Sequence, residues 1–253
     1  MKGIRALLAP FGAGALLLAA APAAAQEDVP LATVLGGPRD HSPQNFALEI
    51  RFGRYLPNVD DNVAGEPFHD FFGNSNRYSF GFEFDWQALR IPGFGTLGPA
   101  FGFGYTRMTG KNQIPVGEPP ANIDQESSLG IMPMYLAGVL RVDVLMRRLG
   151  VPVVPYAKAG IGYALWWVND GVGIAREDVT GKKGSDISYG PQWALGGMLL
   201  LDGLDESAAK ALDNEAGVNN SYLFGEWYQS KLGGSNRMEV GTSTWVVGFA
   251  LEM

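Results

Sequence analysis

RYSFGFEFDWQAL, residues 77–89, carries Tyr78, Phe80, Phe82, Phe84 and Trp86 at every second position, with Ser79, Gly81, Glu83, Asp85 and Gln87 between them. Alternate side chains of a strand leave on opposite faces, so one face here is aromatic throughout and the other is small, polar or acidic. A water-soluble barrel or sandwich turns such an aromatic face inward. A membrane barrel turns it outward to lipid.

Alternation of this kind recurs in eight segments bounded by turn signals, about 46–56, 77–88, 98–109, 128–142, 152–168, 187–202, 220–231 and 242–253. They exceed the usual soluble strand of roughly 5–6 residues and suit tilted membrane strands of about 9–11 with protruding ends. In the first, Phe46, Leu48, Ile50 and Phe52 oppose Ala47, Glu49, Arg51 and Gly53. In the third, Phe101, Phe103 and Tyr105 oppose Ala100, Gly102, Gly104 and Thr106. The fifth sets Ala157, Ala159, Ile161, Tyr163, Leu165 and Trp167 against Tyr156, Lys158, Gly160 and Gly162. The last sets Trp245, Val247, Phe249, Leu251 and Met253 against Thr244, Gly248, Ala250 and Glu252. Alternation alone leaves the fourth and seventh undecided, and Arg141 and Glu226 are taken as marking their inner faces.

Eight strands enclose an interior only just wide enough for side chains. Such a barrel cannot pack a dozen rings inside while Glu49, Arg51, Glu83, Asp85 and Lys158 form its surface. The bulky face therefore points out, with Phe80, Phe82, Phe84, Phe101, Phe103, Trp245 and Phe249 against lipid. Glu49, Glu83, Asp85 and Glu226 then face Arg51, Arg141 and Lys158 across a narrow lumen. Buried charges are costly unless paired, so an interior salt-bridge network that plugs the barrel is expected. The 35 glycines, about twice the usual share of roughly 7%, make room on the inner face for these long side chains.

Connections support the same topology. Segments 57–76, 110–127 and 169–186 are long, 89–97 and 143–151 are short, and 203–219 and 232–241 fit less cleanly. Short turns at the periplasmic end and longer loops outside characterise an up-and-down membrane barrel. Trp and Tyr favour the two interfaces; Tyr78 and Trp86 stand at opposite ends of one strand, and Tyr156 and the Trp166/Trp167 pair at opposite ends of another. The expected fold is all-β, an eight-stranded antiparallel up-and-down transmembrane β-barrel over 46–253. One short periplasmic turn helix is read in DESAAKALDNEAG, residues 205–217, where Leu204, Ala208 and Leu212 recur at i+4 and Gly217 stops the helix.

Residues 1–25 read as a signal peptide: a basic MKGIR start, an apolar run, and Ala23-Ala24-Ala25 before Gln26. Residues 26–45 follow as an N-terminal periplasmic segment. With no cysteine in an exported chain, disulfides and thiol chemistry are excluded. A formal charge of −7 argues against a nucleic-acid partner, whose phosphates need a basic surface.

Few motifs carry chemistry. GFGTLG, residues 93–98, matches a dinucleotide fingerprint by letter, but a strand follows where a helix is needed, so it reads as a turn. His69 with Asp60, Asp61 and Asp70 is the sole candidate catalytic cluster, and nothing positions a third partner, so no catalytic residue, metal or cofactor is assigned. Asp60, Asp61, Glu118, Asp124 and Glu126 make the outer loops acidic, as divalent cations bridging to lipid headgroups would require. GFALEM places Gly248, Leu251 and Met253 at the spacing of the C-terminal signal of outer-membrane barrels, with Met where Phe is usual.

PFHDFFG, RRLGVPVVPYAKAGIGYALWW, LDNEAGVNNSYLFGEW and WVVGFALEM together resemble the outer-membrane β-barrel family found in myxobacteria, itself similar in size to OmpA-type and OmpW-type barrels. The resemblance implies a barrel in the cell outer membrane and brings no catalytic residues. The expected protein is a monomer and not an enzyme. Its partners are outer-membrane lipid and the barrel insertion machinery. Its role is structural or adhesive, or passage of very small solutes; the alternatives are binding or passing small hydrophobic molecules and, third, lipid-modifying hydrolysis.

Overall fold

The computed structural model describes residues 45–62, 64–73, 77–111, 126–169, 173–175, 183–203, 206–234 and 237–253. Residues 1–25, which the sequence reads as a signal peptide, and nearly all of 26–45 lie outside them, as do Glu118 and Asp124.

The strands are β1 (Phe46–Arg54), β2 (Tyr78–Trp86), β3 (Leu89–Ile91), β4 (Gly95–Lys111), β5 (Glu126–Arg141), β6 (Val153–Asn169), β7 (Ser185–Leu200), β8 (Asn220–Ser230) and β9 (Ser243–Glu252). Every neighbouring pair is antiparallel. β1 pairs with both β2 and β9, and β2 pairs with β4, so the sheet closes on itself. β3 continues β2 after a break at Gln87–Ala88 and forms a hairpin with the start of β4. Nine segments therefore make eight barrel strands. Closure leaves no unpaired edge, which is what a sheet in lipid requires.

Alternation decides the two surfaces. Phe80, Phe84, Phe101, Phe103, Trp245 and Phe249 are exposed on the outer wall, as are Leu136, Ile161 and Leu195 on the far side. Ala47, Ala100, Ala137, Ala164, Ala194 and Ala250 are buried inside. Such a surface is the inverse of a soluble protein's and matches hydrocarbon as its solvent.

Three α-helices occur among the described residues, where the sequence reading expected one: α1 (Pro67–Phe72), α2 (Val144–Leu149) and α3 (Glu206–Ala216). α3 is the expected helix, stopped at Gly217 with φ 66°. α2 lies within 143–151, which the sequence reads only as a short connection. It is only six residues long, too short to show helical periodicity, and Gly150 closes it in a left-handed conformation. It is held in place by Met146, which is buried under the barrel floor.

A second departure concerns the interface aromatics. Tyr156 and Trp166 point inward: Tyr156 is 4% exposed, and Trp166 packs against an interior apolar cluster while donating to Ser188 Oγ at 3.2 Å. Only Trp167 of the pair faces out, stacked on Tyr105 at 6.1 Å. Adjacent residues of a strand cannot share a face, so the pair never formed one anchor.

The 231–242 connection folds back over the barrel mouth. Val240 N donates to Leu232 O at 2.8 Å, Tyr55 Oη donates to Val240 O at 2.6 Å, and both Leu232 and Val240 are fully buried. With Phe68 of α1, Met108, Leu129, Ile131 and Ala164 they form an apolar plug at the loop end. Nearer the short-turn end a second cluster holds Met146, Tyr156, Met198, Leu200, Tyr222 and Phe224.

Candidate functional site

Between the plug and the floor lies the charged lumen. Glu49 and Arg51 come from β1, Glu83 and Asp85 from β2, Arg141 from β5, Lys158 from β6 and Glu226 from β8, and all seven are buried. In the β1–β2 register Glu49 lies opposite Glu83, and Arg51 opposite Gly81.

Arg51 is the hub. Its guanidinium donates to Glu49 Oε2 at 2.7 Å, to Glu83 Oε2 at 3.0 Å and to Glu226 Oε1. Lys158 Nζ reaches the same three acids, at 2.8 Å from Glu49, 2.7 Å from Glu83 and 3.4 Å from Glu226. Arg141 closes the lower side, contacting Glu49 at 3.2 Å, Asp85 at 2.8 Å and Glu252 at 3.0 Å. The Arg141–Asp85 contact is a pairing of charge; neither Asp85 oxygen accepts a directed hydrogen bond.

Residues outside the seven complete the assembly. Glu252 on β9 accepts from Gln87 Nε2 at 2.7 Å, Asn220 Nδ2 at 3.1 Å and Tyr222 Oη at 3.0 Å. Tyr156 Oη donates to Glu226 Oε2 at 2.8 Å, and Tyr135 Oη donates to Glu83 Oε2. The signal for Glu252 was present in the sequence, on the inner face of its strand with Gly248 and Ala250. Tyr156 carried the same signal, on the face with Lys158, although its place near a strand end also suited an interface; Tyr135 lies on a strand whose faces alternation alone left undecided. Five carboxylates, Glu49, Glu83, Asp85, Glu226 and Glu252, thus face three cations, Arg51, Arg141 and Lys158, a formal excess of two negative charges.

Glycines make this packing fit. A Cβ on Gly102 would collide with the Tyr135 ring, and one on Gly248 would lie 2.7 Å from Phe224 Cζ. Gly248 thereby lets Phe224 fill the lumen beneath Arg51, whose guanidinium sits 5.7 Å from its ring centroid. Leu251 and Met253 are half-buried at the short-turn end of β9.

On the outer wall, Phe82 is half-buried between Phe80 and Phe103, with ring centroids 4.7 and 5.6 Å away. Phe101 and Phe103 stack at 6.2 Å and Trp245 meets Trp227 at 5.3 Å.

In the first long loop, both Asp60 oxygens accept backbone amides at the start of α1, from Phe68 at 2.8 Å and His69 at 3.0 Å. The carboxylate therefore serves the helix N-terminus. The half-exposed His69 imidazole has Glu66 Oε2 3.6 Å from its Nδ1. That pairing holds no nucleophile. Among the described residues no group of three or more acids, histidines or cysteines is arranged to hold a metal.

No family model matches the chain, and no curated protein matches it. Among solved structures it is similar to Ail, the attachment invasion locus protein of Yersinia pestis solved with the heparin analogue sucrose octasulfate, at 10% identity and a TM-score of 0.42, over 83% of this chain and 97% of that one. It is similar to Neisserial surface protein A at 13% identity and 0.43, over 84% and 98%. It is similar to the N-terminal β-barrel domain of Pseudomonas aeruginosa OprF at 9% and 0.38, over 84% and 100%. The fold assignment itself rests on the strand pairing described above.

Proposed function

We propose that this protein is a monomeric outer-membrane barrel with a structural or adhesive role, passage through it being limited to very small solutes. The observation that carries the reading is the interlocked lumen: eight buried charged side chains from six strands span the interior, capped by apolar clusters above and below. Opening a pore through it would separate charges that have no water to replace their partners. The resemblance to the myxobacterial barrel family belongs to this reading. So does recognition of β9, through Gly248, Leu251 and Met253, by the insertion machinery. Reconstitution in planar bilayers tests it. No steady nanosiemens-scale openings are expected, and their appearance would defeat the filled lumen.

A second reading, binding of small hydrophobic molecules, has one observation behind it: a cavity of about 50 Å³ lined by Arg51, Tyr55, Tyr135 and Tyr228 together with Phe80 and Phe103 of the outer wall. Cavities of about 150 Å³ hold a benzene ring, so this one suits a few waters better. Saturable binding of a fluorescent apolar probe, lost on Ser79→Leu at the cavity wall, would favour the second reading over the first.

A further inference from the structure

Just beyond the apolar belt, at the end bearing the long loops, the outward face carries cations. Arg54, Arg107, Lys231 and Arg237 are all exposed there. Arg54 lies opposite Tyr78 in the β1–β2 register. Arg107 stands two residues beyond Tyr105, whose ring stacks on Trp167. The Arg237 guanidinium lies 4.5 Å from the centroid of Tyr189, and Lys231 follows Trp227 and Gln229 on the outer face of β8. At separate points around the barrel an aromatic residue at the edge of the belt is thus topped by a cation.

The contrast with the opposite end lies in Arg90 and Arg147, which a carboxylate holds, and not in Arg148, which is exposed and has no ion pair among the described residues. Among the described residues no carboxylate pairs with any of the four, and Arg107 is hydrogen-bonded only to Ser128 Oγ, at 3.1 Å. At the short-turn end Asp143 holds both Arg90, at 3.6 Å, and Arg147, at 2.8 Å. A protein with a net charge of −7 in which these four outward loop-end cations have no carboxylate partner among the described residues is arranged to meet anions there.

We propose that this rim binds the phosphates of anionic lipid headgroups in the loop-side leaflet, an inference that rests on the membrane reading given above. Continuity with the belt selects lipid over free phosphate. An acyl chain lying along Phe52 and Phe80, or along Ile187 and Tyr189, brings its headgroup to Arg54 or Arg237, while guanidinium groups match phosphate with paired N–H donors. Chain and headgroup are then held together.

The test uses the full-length mature chain folded into vesicles of phosphatidylcholine alone or of equal parts phosphatidylcholine and phosphatidylglycerol. Folding is scored by heat-modifiable gel migration, and lipid retained after mild detergent extraction is counted by native mass spectrometry. Retention of phosphatidylglycerol over phosphatidylcholine is expected, with affinity falling about fivefold per cation removed. It is lost in the combined Arg54→Gln, Arg107→Gln, Lys231→Gln, Arg237→Gln variant and kept in Arg148→Gln, an exposed cation at the other end. Folded protein without preference for the anionic lipid, or a combined variant that keeps it, overturns the proposal. So does displacement of the lipid by excess inorganic phosphate, which would mark a free-anion site. A chain that never becomes heat-modifiable in either vesicle overturns the membrane reading, and this inference with it.

Discussion

Replacing Arg51 with Met keeps an unbranched stem but removes the guanidinium that is the hub of the lumen. Glu49, Glu83 and Glu226 would then share Lys158 alone, at 2.8, 2.7 and 3.4 Å, and the formal charge of this group of five would pass from −1 to −2. Three charge-assisted hydrogen bonds at about 1.5–3 kcal/mol each set an upper bound. Lys158 offsets part of that loss, so the expected destabilisation is about 3–5 kcal/mol, the range for removing one partner of a buried ion pair. Adding Glu226→Gln restores the formal charge to −1 and leaves an amide for Tyr156 to bond. The double variant should therefore be more stable than the sum of the two single losses by about 2 kcal/mol. Urea unfolding in phosphatidylcholine vesicles, followed by tryptophan fluorescence and gel migration, measures all three. A single-variant cost below about 1 kcal/mol, the worth of an exposed pair, would refute a dry interlocked network. Additivity within about 0.5 kcal/mol would refute the claimed coupling.

Other outcomes follow from the same geometry. Gly102→Val would push the Tyr135 ring off Glu83 and lower stability by about 1–3 kcal/mol in the same unfolding assay, whereas Gly197→Val, with nothing near its Cβ, should cost much less. Ile161→Arg, exposed near the middle of β6, should cost about 2–4 kcal/mol in a bilayer; no loss would mean that water, rather than hydrocarbon, bathes that wall. Phe68→Ala should loosen the plug and speed proteolytic cleavage within 55–76 while the barrel stays heat-modifiable; unchanged cleavage would show that α1 does not hold the mouth.

How much of this could be read in advance differs from element to element. The wall was legible because its signal is local: Phe80, Phe82 and Phe84 alternate with Gly81, Glu83 and Asp85 within one strand, and no distant residue is needed to separate the two faces. α3 was legible because eleven residues give room for three turns, whereas α2, at six, does not. Tyr135 illustrates the harder case. It stands on a strand whose faces alternation left undecided, its ring is as suitable for a membrane interface as for a lumen, and only Glu83, 52 positions away on β2, gives its hydroxyl a reason to be inside.

Sequence by itself determined that this chain makes long two-faced strands, that eight of them form a barrel, and that the bulky face cannot be the inner one. Those conclusions follow from side-chain volume and a repeat of two. Tertiary structure alone decided that Arg51 and Lys158 share three acids, that Glu252 joins them through Arg141, and that Leu232 and Val240 turn into the mouth to seal it. Barrel closure sets β1 beside β9 and brings side chains from β6 and β8 across the lumen to it, and the stagger of each pair fixes which inward residues meet. Pairing across a lumen depends on those staggers, and no single strand encodes them.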